Sequence, residues 1–234
     1  LLYSADLLGD TMKKGLPKLP RTGGQTKGQP TGAGLDDSTI SSGLKDALSV
    51  GTRNAVSLVS KTNGYFGNKA IKILLPDKIQ KAADLARKAG AQKQVDEFIL
   101  SMNRAAEKAA PKAVDYFADA IKEMSIEDAR KILSGGNTSA TQYFKSKTSS
   151  KLYNEFKPSV SESMNQVGVT RTYNAMMGKM PSVPFGKQES IDLDHYVTNK
   201  ALDGLFYMVG QEEKKIRTNP TARTTDLLKK VFSK

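Results

Sequence analysis

From Leu44 onward, apolar residues recur at spacings of three and four, the signature of helices buried along one face. Leu44, Ala47, Leu48, Gly51, Ala55, Leu58 and Val59 mark the first such face, and Asn63-Gly64 and Gly67 break it. Ala70 to Leu75 is a short apolar run with Lys72 inside it, ended by Pro76; it reads as an extended connector or a single edge strand. Pro76-Asp77 opens a helix predicted to reach Ala89, with Gly90 as its stop. The next helix buries Val95, Phe98, Ile99, Met102, Ala105, Ala106 and Ala109, and Pro111 kinks or restarts it before Val114, Phe117, Ala118 and Ile121. Ser125-Ile126-Glu127-Asp128 has the form of a capping box, and Gly135-Gly136 ends the short helix it opens. Residues 138–167 read as a helix with Pro158 as a kink, and Thr170–Met177 as a brief one. The last long helix is predicted from Asp194 to Arg217, with only the arc of Tyr196, Lys200, Asp203 and Tyr207 polar. A helix apolar over so much of its circumference belongs at the centre of a bundle.

The pattern therefore predicts an all-α fold: an irregular multi-helix bundle in a single domain over residues 44–234, with a short extended connector before Pro76. Residues 1–43 differ. Pro17, Pro20 and Pro30 alternate with Gly15, Gly23, Gly24, Gly28, Gly32 and Gly34, a composition that buries too little apolar surface to offset ordering. They read as a flexible Gly/Pro-rich tail or docking arm. Leu1 to Met12 could form a short amphipathic helix, and assembly of copies through residues 1–43 is one expected use. The chain opens on Leu1, which suggests a processed start with any signal peptide removed.

Cysteine is absent, which removes disulfides, thiolate nucleophiles and cysteine-based metal sites. Tryptophan is absent as well, which disfavours a base- or sugar-stacking platform. The formal net charge is +12. Residues 1–43 hold five basic and four acidic groups, so nearly all the excess falls on the folded part. Such an exterior attracts anionic or amphiphilic partners. No nucleic-acid motif accompanies it, so nucleic acid is not the expected partner. No run of eighteen apolar residues is present, and no transmembrane segment is expected.

Four groups of residues could carry chemistry. The only histidine, His195, follows Asp192 and Asp194; two carboxylates and an imidazole could pair as acid and base, or one aspartate could cap the helix. With no second His and no Cys, neither a metal nor a cofactor is expected there. Arg217 and Arg223 flank a basic turn, and Thr224 and Thr225 open what reads as a new helix, an arrangement suited to an anion. Lys78, Lys81 and Lys88 fall at helical spacing and could face an anionic surface. Met176, Met177, Met180 and Phe185 fall in a Pro-broken apolar loop that could cover a lipid or partner groove. There is no G-x-S-x-G, P-loop, dinucleotide fingerprint or H-E-x-x-H.

The runs Leu44–Val56, Gly64–Ala82, Ser101–Ala106, Ala120–Phe144 and Asp192–Phe232, the last containing DLDHYVTNKALDGLF and NPTARTTDLLKKVF, resemble the bacterial family known as domain of unknown function 4197. The resemblance covers nearly everything from residue 44 on. It implies an exported protein of the Gram-negative envelope, periplasmic or otherwise exported, and it supplies no reaction, cofactor or catalytic residue. The resulting expectation is a non-enzymatic envelope binding or structural accessory protein. An enzyme with a pocket around Asp192, Asp194 and His195, and a self-assembling protein using its N-terminal arm, are the alternatives.

Overall fold

A computed structural model describes residues 36–177 and 192–223, together with Lys229. The described residues form eight helices: α1 (Asp37–Ser60), α2 (Asp77–Lys88), α3 (Gln92–Ala109), α4 (Ala113–Glu123), α5 (Ile126–Ser134), α6 (Ser139–Val167), α7 (Val169–Met177) and α8 (Leu193–Thr218). Single 3-10 turns occupy Ala110–Lys112 and Pro220–Ala222, and no strand occurs among the described residues. The fold is the all-α multi-helix bundle expected from the pattern. No helix among the described residues is long and apolar enough to cross a membrane.

The sequence boundaries hold where local chemistry sets them. The Ser125 hydroxyl accepts the Asp128 N–H at 3.0 Å and the Asp128 carboxylate accepts the Ser125 N–H at 3.1 Å, completing the capping box of α5. Gly90 (φ 86°) and Gly168 (φ 76°) end α2 and α6 in the left-handed region that a Cβ disfavours. Pro111 sits in the 3-10 turn that separates α3 from α4. Helix α6 continues past Pro158.

One boundary needs correction. The first helix begins at Asp37, not at Leu44. The Asp36 carboxylate caps it by accepting the Thr39 N–H at 2.6 Å, and Ser41 and Gly43 are already buried. Arg130 of α5 pairs with Asp37. Small polar residues on an otherwise apolar face made this first turn read as tail. The remainder of the predicted tail, with its docking and assembly roles, lies outside the described residues.

Helix α8 is central, packing on α1, α6 and α3; α3 also packs on α6, α7 and α2. Phe98, Phe117, Phe144, Phe156, Leu152 and Leu205 are fully buried. Phe117 meets Phe144 edge-on at 5.2 Å and Phe206 at 6.0 Å. Each such ring contributes on the order of 2 kcal/mol by leaving water, so the aromatic cluster joining α4, α6 and α8 is a large share of the core.

Three buried polar residues tie non-helical or terminal backbone to this core. Asn103 of α3 accepts the Ile73 N–H and donates to the Ile73 C=O, both at 2.8 Å, and so clamps the connector before Pro76 in extended form. Glu107 accepts the N–H groups of Tyr65 and Phe66 at 3.1 and 3.2 Å and pairs with Arg104 at 2.5 Å. Glu213 of α8 accepts the N–H groups of Ala140 and Thr141, both at 2.9 Å, capping α6 from another helix. Unpaired, each of these buried backbone groups would cost about 1 to 3 kcal/mol.

Candidate functional site

The first turn of α8 and the middle of α6 build a polar cluster. Asp192 is the N-cap of α8: its Oδ1 accepts the His195 N–H at 2.8 Å. Its Oδ2 lies 3.2 Å from Nζ of Lys157 on α6. The backbone N–H of His195, then the Lys157 ammonium, hold the Asp192 carboxyl below the usual carboxylate range. Asp192 in turn raises Lys157 above the ordinary lysine value. Asp194 is half-buried and joins none of these bonds.

The His195 ring is exposed and faces a phenol. Its Nδ1 is 2.6 Å from the Tyr153 hydroxyl, and the two rings meet edge-on with centroids 5.7 Å apart. Asn199, one turn on, places its amide 3.1 Å from Nε2 and donates to the His195 C=O at 2.9 Å. The ring's tautomer decides which of the two donates: an Nδ1–H donates to the Tyr153 oxygen, and a bare Nδ1 accepts the Tyr153 O–H. Neither aspartate bonds to the imidazole, so the carboxylate that orients a catalytic histidine is missing from this pair. Among the described residues no group of three or more His, Asp or Glu is arranged to hold a metal.

A groove of about 460 Å³ continues along the α6/α8 seam from Tyr153 and Asn199. Ser149, Ser150, Asn154 and Asp203 supply polar atoms, and Leu202 and Phe206 form its floor. Lys145 reaches over it, with its ammonium 5.6 Å from the Phe206 ring centroid. Asp192, Asp194 and His195 are not among its walls.

The other predicted sites are dispersed. Arg217 is 11% exposed; it bonds Glu213 at 3.0 Å and the Ile132 C=O at 2.7 Å, so its charge serves the buried cap of α6. Arg223 donates to the carbonyls of Ile216 and Arg217 at 3.2 and 3.0 Å, closing the C-terminus of α8. Thr224 and Thr225 lie outside the described residues. Lys78, Lys81 and Lys88 are all exposed on α2. Met176 is not part of an open loop: it sits in α7 and is fully buried in the core, because α7 turns that face onto α3. Met177 ends α7 and its side chain is not described; Met180 and Phe185 lie outside the described residues.

Sequence reasoning missed Tyr153 and Lys157, whose i, i+4 spacing puts both on the face of α6 toward α8. It also missed Asn103, Glu107 and Glu213. Their signal was legible: each is a polar residue at a position where helical spacing demands an apolar one.

No curated protein and no solved structure matches the chain. A family model does match, over residues 34–233, beginning just before the cap of α1 and running through α8. The chain belongs to the family described as protein of unknown function (DUF4197).

Proposed function

We propose that this chain is a non-enzymatic accessory protein of the Gram-negative envelope that binds an anionic lipid surface through exposed lysines. One observation carries the reading. Helix α6 has no acidic residue between Ser139 and Asn154; its Lys145, Lys147 and Lys151 are exposed and join no ion pair among the described residues, the first two lying over the rings of Phe206 and Tyr143. Lys81 and Lys88 on α2 are likewise exposed and join no ion pair among the described residues. Acid–base groups point the same way. Asp192 is spent on a helix cap, and the ring of His195 bonds a phenol and an amide instead of a carboxylate. That arrangement favours binding over catalysis.

The test is co-sedimentation with vesicles of phosphatidylcholine alone or with added phosphatidylglycerol. Retention is expected only on the anionic vesicles, and it should fall as salt screens the attraction. Each lysine near an anionic surface is worth about 1 kcal/mol, so changing Lys145, Lys147 and Lys151 together to Gln should weaken retention on the order of 100-fold. Equal retention on both vesicle types, or none at low salt, removes the proposal.

A further inference from the structure

Only three large apolar side chains are exposed among the described residues, and two of them, Leu74 (60%) and Tyr207 (46%), line one groove. It encloses about 530 Å³ between the extended connector before Pro76 and the outer face of α8. Tyr196, Lys200, Asp203, Gly204 and Tyr207 form the helix wall, their spacing placing them on one face.

The opposite wall is main chain. Ile73 gives both its backbone groups to Asn103, so the neighbouring residues turn theirs to the other edge. That edge faces α8, because the Tyr196 hydroxyl donates to the Leu74 C=O at 3.0 Å. The N–H of Leu74 and the C=O of Lys72 have no hydrogen-bond partner among the described residues. The Lys72 N–H is taken by the Asn68 C=O at 2.9 Å, so the Lys72 C=O and the Leu74 N–H are the pair of groups this edge offers to one residue of an added extended segment. The helix wall from Tyr196 to Tyr207 is about 16 Å long at 1.5 Å per residue, which matches about five residues of extended peptide.

Charge narrows the occupant further. Asp77 and Asp203 edge the groove and join no ion pair among the described residues. The nearby ammonium groups are turned onto rings, Lys72 lying 4.0 Å from the Phe66 centroid and Lys200 5.9 Å from that of Tyr196. We infer that the groove binds an extended peptide segment of a partner protein by strand addition to residues 72–74. One apolar side chain of the peptide rests on Leu74 and Tyr207, and one basic side chain meets Asp77 or Asp203. Asp203 also borders the α6/α8 groove, but Leu74, Asp77 and Tyr207 do not, and peptide binding here does not depend on the lysines of α6.

The probe is a displayed library of random seven-residue peptides, panned against the full chain, with enriched sequences synthesised with both ends blocked and titrated by fluorescence anisotropy. Enriched peptides should share an apolar residue and a Lys or Arg. Tyr207→Ala and Asp203→Lys should each raise the dissociation constant roughly tenfold or more, the usual effect of an anchor residue. N-methylation of the peptide amide that pairs with the Lys72 C=O should abolish binding, while methylation of the next amide, which points away, should not. Vesicle retention should be unchanged in Tyr207→Ala. Three results would overturn the inference. One is enrichment no greater than on the Tyr207→Ala chain. Another is binding indifferent to N-methylation at every position. The third is a sedimenting dimer that Tyr207→Ala dissociates, which would give the groove to a second copy.

Discussion

Asp192 releases its proton more readily than an ordinary aspartate, because the His195 N–H and the Lys157 ammonium stabilise its charged form. A lowered folded-state pKa means that the ionised cap stabilises the fold above the ordinary value of 3.8 and that this contribution is lost as pH falls through the folded value. Asp192→Ala should therefore cost about 1 kcal/mol at neutral pH, the usual worth of an N-cap. In denaturant melts the gap to the parent should narrow as pH falls below 3.8; a gap unchanged in acid would contradict it. Glycine in α8 offers a second residue-scale test. A Cβ at Gly204 would lie 2.7 Å from Cε1 of the buried Tyr65, whose hydroxyl is fixed on the Ala201 C=O at 2.6 Å. At Gly210 the nearest atom would be Thr141 Oγ1 at an ordinary 3.5 Å. Alanine gains up to about 1 kcal/mol in helix propensity at either place, but overpacking costs about 1 to 3 kcal/mol. Gly204→Ala should lower the melting temperature and Gly210→Ala should raise it.

Between elements, buried polar side chains act as fasteners. Glu213 joins α8 to the first turn of α6 and holds Arg217, which reaches the end of α5 through the Ile132 carbonyl. Glu213→Ala strands a nearly buried guanidinium and two backbone donors, and should cost about 3 to 5 kcal/mol. Urea melts would measure this, and a loss below about 1 kcal/mol, the level of a surface pair, would show the cap to be idle. Asn103 performs the same task for the connector. Asn103→Leu should release the Ile73 N–H to hydrogen exchange while α3, whose apolar stripe it would extend, keeps its protection. The same clamp presents the outer edge of residues 72–74 to α8, so this variant should also lose peptide binding in the groove.

Over the whole molecule, a net charge of +12 on 234 residues opposes itself. Salt should therefore act in two directions. Raising ionic strength from about 0.02 to 0.2 M shortens the screening length, and should raise the melting temperature while lowering retention on anionic vesicles. A melting temperature that falls with salt would mean that attractive pairs, such as Arg130–Asp37 and Lys131–Glu127, outweigh the repulsion of the unpaired lysines.

Local rules reach as far as the helices and no further. Apolar spacing, Pro76, Gly90 and the Ser125 box each act within a turn or two of chain, so the sequence alone determined the all-α class, most helix ends and the central place of α8. It also specified a surplus of positive charge, since that is a sum over residues. The first turn of α1 escaped, because its buried positions are Ser and Gly and its support comes from α5. The candidate sites divide on the same principle. Asp192 as a cap was readable, whereas the meeting of Tyr153 with His195, the capture of Arg217 by Glu213, and the groove between Leu74 and Tyr207 were decided only by tertiary structure. Each brings together residues 42 or more positions apart, or fixes a charge by burial, and neither the distance between helices nor the loss of water around a side chain is written in its neighbours along the chain.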